Sequence, residues 1–248
     1  RNEVMASAKN ANDAWIYGGP ETATLLIQGT IPANRSSFAV KGAMHHPDAC
    51  FRAELEKRLK GKGITLDKQK IEDGERHALF TLVSPFLKDI VYYTNKNSIN
   101  LFAEALGELI SPTDYARTVK AELSGMGIDS CGITLKDASG LSPANAVPAE
   151  VFTDLLIWAK GHLSDVFVAS LPQGNVDWGL RIYSDHPILR GNILAKTGSM
   201  SGVRALAGYL KTQRGETLAF TILVNNYVGD PVKVQEIIRD LLKEFADK

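Results

Sequence analysis

Gly191-Asn-Ile-Leu-Ala-Lys-Thr-Gly-Ser-Met-Ser-Gly-Val-Arg204 is the stretch on which the fold turns. Its apolar run reads as a strand leading into Lys196-Thr197-Gly198. Such a strand edge presents a cation and a hydroxyl, the groups that receive the anionic end of a substrate. The glycine lets a ligand lie close to the backbone. Downstream, Arg204 to Thr212 and Thr217 to Asn225 read as two more apolar strands. Gln213-Arg-Gly-Glu216 joins them as a hairpin with glycine in its turn. Asp230-Pro231 then caps a final helix, where Val234, Ile237, Ile238, Leu241, Leu242 and Phe245 predict a buried face.

Upstream of this block the pattern is helical. Phe86 to Tyr93 predicts a short helix. Leu101, Phe102, Ala105, Leu106, Leu109 and Ile110 form an i, i+4 stripe on a second. Ser111-Pro112 starts a third, Thr113 to Leu123, ended by Gly125, and Pro148 opens a fourth that runs to about Lys160. Asp137-Ala-Ser-Gly-Leu-Ser142 reads as a turn-rich loop. Helices followed by an antiparallel hairpin and a terminal helix argue for an α+β domain.

The first 75 residues read differently. Ala23 to Gln28 predicts a strand that Gly29-Thr-Ile-Pro32 breaks and Ser36 to Val40 resumes. His46-Pro47-Asp48 opens a helix in which Phe51, Leu55 and Leu59 recur every four residues, and Gly61 and Gly63 end it. The charged stretch Lys68 to Arg76 reads as a connection, and Ala78 to Val83 as a further strand. The division expected is 1–75 and 76–248.

Composition excludes several classes. Apolar residues are 44% and charged residues 23%, which suits a globular protein rather than a disordered one. Lysine plus arginine equals aspartate plus glutamate at 28 each, so no bulk charge points to nucleic acid or a membrane surface. No run approaches the roughly 18 to 20 apolar residues of a membrane-spanning helix. Cys50 and Cys131, without CxxC spacing, read as unpaired thiols. His45 and His46 read as a surface turn, and no metal or other cofactor is expected. Trp15, Trp158 and Trp178 read as packing residues.

Taken singly, Ser98 reads as a helix cap, Asn100 as a first-turn polar residue and Lys196 as a solvated strand lysine. Their order changes that. Ser98-Ile99-Asn100 has the form S-x-N at a helix entrance, Lys196-Thr197-Gly198 is K-T-G, and about 100 residues separate them. With S-x-x-K, these are signature elements of penicillin-binding proteins and β-lactamases. The chain closely resembles the low-molecular-mass class C penicillin-binding proteins, serine D-alanyl-D-alanine carboxypeptidases and endopeptidases. Ser84 to Ile90, Asn95 to Glu104, Asp137 to Ser142, Ser170 to Asp177, Leu194 to Leu210 and Leu218 to Asn226 carry the resemblance. Two stretches depart from it: Asp137-Ala138-Ser139 stands where the family usually has Asp-Gly-Ser, and Trp178-Gly179 where it usually has Gly-Thr.

The resemblance implies a β-lactamase/transpeptidase-like fold, an antiparallel sheet flanked by helices plus a helical subdomain, preceded by the remnant of an inserted domain. It implies attack by a serine on the amide before a terminal D-alanine and hydrolysis of the acyl-enzyme. Ser98 would shuttle a proton to the leaving amine. Asn100 would hold the substrate amide and orient the catalytic lysine. Lys196 would supply positive potential, Thr197 would hydrogen-bond the substrate carboxylate beside Gly198, and the Ser199 N–H would serve the oxyanion hole. The expected partners are a peptidoglycan stem peptide ending in D-Ala-D-Ala and, as inhibitors, β-lactams, in the periplasm or elsewhere outside the cytoplasm. No serine stands three residues before any lysine; Thr65-Leu-Asp-Lys68 comes nearest. The nucleophile is therefore expected on a preceding part of a longer protein, and these 248 residues are expected to be inactive alone. The alternatives are a nucleophile-free peptidoglycan-binding scaffold and a β-lactamase.

Overall fold

The structure is a computed structural model that describes residues 1–248 apart from 11, 20, 21, 23, 66–77, 79 and 164. Two compact units emerge, Arg1–Leu79 and Phe80–Lys248.

The first unit holds β1 (Asn2–Ser7), β2 (Asp13–Tyr17), β3 (Leu26–Pro32) and helix α1 (Pro47–Gly61). The sheet order is β1-β3-β2, with β3 parallel to β1 and antiparallel to β2. Gly29 does not break β3. It lies inside the strand at φ +124, and a Cβ there would stand 2.1 Å from the Asp13 carbonyl oxygen, so only glycine allows β2 to pair this closely. Residues 36–40 carry no strand, and neither do Ala78 and 80–83. The predicted connection over Lys68 to Arg76 lies outside the described residues. Helix α1 begins and ends where the proline and glycines place it, yet none of its residues is buried.

The second unit carries the site. Its helices are α2 (Leu87–Asn97), α3 (Asn100–Ile110), α4 (Tyr115–Gly125), α5 (Ala149–His162), α6 (Asp165–Ser170) and α7 (Pro231–Ala246). Its strands are β4 (Ile193–Met200), β5 (Val203–Lys211) and β6 (Thr217–Asn225). Helix α2 runs four residues beyond the predicted Tyr93. The α4 N-cap is Asp114, whose carboxylate accepts the Arg117 N–H, and not Ser111. Strands β4, β5 and β6 form an antiparallel sheet in that order, with Lys196 opposite Ala207 and Ser199 opposite Arg204.

Alternation along these strands sorts the side chains into two layers. Ile193, Ala195, Leu206 and Leu210 pack with Ile238, Leu242 and Ala246 of α7. Leu194, Ala207, Tyr209 and Ala219 pack toward Leu156, Phe167, Val168 and Leu171. The sheet is therefore sandwiched between α7 and the α5–α6 pair. The Tyr209 hydroxyl donates to the Leu156 carbonyl at 2.7 Å, which satisfies it inside the second layer. The α7 stripe is narrower than its sequence suggests: Val234, Ile238, Leu242 and Ala246 face the core, whereas Ile237, Leu241 and Phe245 are exposed. A third cluster, Leu123, Ile128, Ile133 and Val151, forms the helical subdomain core.

Helix α3 departs most from expectation. Its stripe exists, but Leu101 and Leu109 are 74% and 79% exposed, and only Gly107 is buried. What anchors α3 is polar. Glu104 accepts the backbone N–H groups of Ala138 and Ser139 at 3.4 and 2.9 Å. Gly107 lets the loop approach, since a Cβ there would stand 2.6 Å from the Ala138 Cβ. The loop is itself tied by Asp137, which accepts from the N–H groups of Gly140 and Ser142 and from Asn145 Nδ2. Partial burial opposes ionisation of Asp137, but these hydrogen bonds outweigh it and hold the carboxyl below its ordinary range.

Candidate active site

Ser98 closes α2 in a left-handed conformation, φ 53 and ψ 52, and its N–H reaches the Thr94 carbonyl. A non-glycine residue pays a strain of about 1 kcal/mol there. The chain thereby turns within two residues, and Asn100 opens α3. Ser98 is a helix cap, as its sequence suggests, but at the C-terminus, with its side chain committed elsewhere. The Lys196 ammonium donates to Ser98 Oγ at 2.9 Å and to the Thr197 carbonyl at 2.8 Å. Two residues 98 positions apart are thus in direct contact. Burial pushes the Lys196 ammonium below its ordinary range. Lys196 is not a solvated strand lysine.

The remaining predicted residues fall along the same strand and turn. Thr197 stands beside Gly179: a Cβ on Gly179 would lie 3.6 Å from Thr197 Oγ1. Gly198 approaches β5, where a Cβ would meet that of Ala205 at 3.2 Å, so this glycine serves strand packing. Ser199 is exposed near the end of β4, and Asn100 is exposed at the start of α3. Trp178 opens a short 3-10 turn, Trp178–Leu180, and is 87% exposed, which corrects its expected packing role. Trp15 is likewise exposed, whereas Trp158 stacks on His162. Cys50 and Cys131 are free thiols.

Sequence reasoning gave no role to the residues that hold the turn against the strand. Asn95 Nδ2 donates to the buried Ser170 Oγ at 2.8 Å. Lys96 Nζ donates to the Leu171 carbonyl at 2.7 Å and to Asp177 Oδ2 at 3.0 Å. Their signal was adjacency: Lys96 lies two residues before Ser98, and Asp177 ends the Ser170 to Asp177 stretch already matched to the family.

Comparison with known proteins places this architecture among the β-lactamase and transpeptidase-like folds. The solved penicillin binding protein 4 (dacB) of Haemophilus influenzae, complexed with a β-lactam, superposes with a TM-score of 0.80 at 24% identity, over 99% of this chain and 63% of that one. A TLA-1 extended-spectrum β-lactamase follows at a TM-score of 0.52 and 17% identity, over 64% of this chain and 63% of that one. The chain belongs to the D-Ala-D-Ala carboxypeptidase 3 (S13) family, which matches residues 1–248. A D-alanyl-D-alanine carboxypeptidase of Actinomadura sp. is 30% identical across 98% of this chain and 49% of its own length. A D-alanyl-D-alanine carboxypeptidase DacB of Haemophilus influenzae is 29% identical across 82% of this chain and 46% of its own. The chain thus spans about half the length of the curated relatives it matches. Among the described residues, no helix is long and apolar enough to cross a membrane.

Proposed function

We propose that this chain carries the carboxylate-binding and proton-handling part of a serine-type D-alanyl-D-alanine carboxypeptidase or endopeptidase site. Its substrate is the peptidoglycan stem peptide ending in D-Ala-D-Ala, met outside the cytoplasm, and β-lactams enter as mimics of that end. One observation carries the reading: the 2.9 Å contact between Lys196 Nζ and Ser98 Oγ, which brings the K-T-G strand and the S-x-N turn together. In this role Lys196 and Thr197 receive the terminal carboxylate beside Gly198. Ser98, polarised by the Lys196 cation, passes a proton to the departing D-alanine amine, Asn100 holds the substrate amide, and the Ser199 N–H stabilises the oxyanion. The attacking serine comes from an S-x-x-K segment that these 248 residues do not contain. Residues 1–75 are the end of an inserted domain in this reading and 76–248 the catalytic part.

The test is labelling by a fluorescent penicillin, together with release of D-alanine from a stem peptide, in the protein expressed from its full reading frame. Labelling with release supports the reading. The pH dependence is specific. The carboxylate stays ionised, so affinity falls as pH rises and Lys196 loses its proton. Because burial lowers the Lys196 pKa, that decline begins below the ordinary lysine range, and Lys196→Gln removes this limb. A limb unchanged in Lys196→Gln refutes the role given to Lys196. Lys196 and Thr197 fit a second reading equally well, a peptidoglycan-binding homologue without a nucleophile. It predicts stem-peptide binding without labelling from a reading frame that also lacks the motif. Rapid turnover of nitrocefin would instead favour a β-lactamase.

A further inference from the structure

The Lys196–Ser98 contact needs the end of α2 held against β4, beyond the Asn95–Ser170 bond and the continuation of the turn into α3. The loop Leu171–Asp177 supplies this hold. This loop runs along β4 as an additional partner: the Ala195 N–H donates to the Pro172 carbonyl at 2.9 Å, the Gly174 N–H to the Ile193 carbonyl at 2.8 Å, and Gln173 bridges to Leu194. The loop is therefore fixed to the strand one residue before Lys196. Its carboxylate is fixed too, since Asp177 Oδ2 accepts the Gln173 N–H at 2.7 Å. Lys96 inserts its ammonium into this loop, on the Leu171 carbonyl and Asp177 Oδ2, and sits 5.6 Å from the Tyr92 ring centroid. Its side chain is 13% exposed and that of Asp177 22%. A largely buried ammonium bonded to both a carboxylate and a carbonyl fixes geometry in a way that exposed pairs do not.

We infer that Lys96 is a positioning residue for the proposed reaction: clamped to Asp177 and the Leu171 carbonyl, it locks the end of α2 so that Ser98 Oγ stays on the Lys196 ammonium. The links close a ring from Lys96 through the loop to β4, along β4 to Lys196, across to Ser98 and back along two residues to Lys96. This inference rests on the proposed function only for its catalytic consequence; the geometric claim stands apart from it.

The experiment compares fluorescent-penicillin labelling rates of Lys96→Met, Ser98→Ala and the double variant, in the protein expressed from its full reading frame, with thermal melting followed alongside. Misplacing a catalytic group by about 1 Å is expected to slow labelling by about 100-fold in Lys96→Met. Lys96 acts through Ser98, so the double variant is expected to be no slower than Ser98→Ala, and Lys96→Arg is expected to recover most of the rate. Wild-type labelling by Lys96→Met, or a double variant that shows the full product of the two single losses, overturns the inference. If Lys96→Met does not fold, Asp177→Asn takes its place: it keeps an acceptor but removes the charge, and an unchanged rate there overturns the inference equally. If the wild-type protein is not labelled at all, the proposed function fails and the positioning claim is read separately. Modification of Lys196 by an amine reagent, measured by mass spectrometry relative to exposed Lys211, is expected to accelerate in Lys96→Met, and an unaltered ratio refutes the claim.

Discussion

Lys196→Ala is expected to slow acylation by penicillin by about 100- to 1,000-fold in the protein expressed from its full reading frame, the range for losing a preorganised electrostatic partner of the reacting groups. An ammonium has three donors. Among the described residues, two go to Ser98 Oγ and the Thr197 carbonyl, which in the proposed role leaves one N–H for an incoming carboxylate. In the proposed roles, alanine removes the attraction and the partner that orients Ser98 at once, so binding and proton transfer are both expected to suffer. The fold should not suffer. Burying the ammonium opposes its charged form, as its lowered pKa records, so its removal relieves a desolvation cost. The measurement pairs labelling kinetics with a melting curve. Slow labelling at an unchanged or raised melting temperature is the expected outcome. Wild-type labelling would remove Lys196 from the site, and a large fall in melting temperature would make it a structural residue.

Gly208→Ala is expected to have the opposite profile, a large loss of stability that carries the site with it. Gly208 pairs with Ala195 inside the β4–β5 ladder. An added Cβ would lie 2.1 Å from the Leu194 carbonyl oxygen and 2.5 Å from the Ala195 Cα. Both are backbone atoms, so no rotamer change relieves the overlap and the two strands must part. Overpacking of this kind costs about 3 kcal/mol, which corresponds to a melting temperature lower by about 6–12 °C. The strand displaced is β4, one residue before Lys196, so penicillin labelling should fall as well. Gly161→Ala provides a control of opposite sign. It lies in α5 with no atom within 4 Å of an added Cβ, and alanine there is expected to stabilise by about 0.5 kcal/mol. Equal melting curves for Gly208→Ala and the wild type would refute the close approach of β4 and β5.

The parts of the fold legible in the sequence are those in which local pattern and tertiary burial coincide. In β4 and β5 the alternation of Ile193, Ala195, Leu206 and Leu210 is also the alternation between the α7 layer and the α5–α6 layer. In α3 the two diverge. The stripe makes the helix amphipathic, but what holds α3 is Glu104 on the Ala138 and Ser139 amides, a polar contact that hydrophobic periodicity does not report. The strand expected over Ala78 to Val83 is absent from the residues described there, 78 and 80–83, for a related reason: β-propensity does not supply a pairing partner. Gly29 was misread because the same residue that ends a strand also permits the closest strand pairing. For the candidate site, motif order alone placed Ser98 near Lys196. Lys96 and Asp177 were legible only as neighbours of matched residues, because an inward-facing lysine and an ordinary surface one look the same in a sequence.

The long reach of these contacts bears on the order in which the chain acquires its parts. The β4–β5–β6 meander is built from neighbours joined by short turns, so its closure entropy is small. The bonds Asn95–Ser170, Lys96–Asp177 and Ser98–Lys196 span 75, 81 and 98 residues. Contacts across such separations carry a larger closure entropy than those of the meander. The proposed site geometry is therefore expected to form late in folding and to be lost early in unfolding, which hydrogen exchange resolved by residue would show. The turn at Ser98 is expected to lift from Lys196 in a local opening that leaves the sandwich of sheet and helices intact.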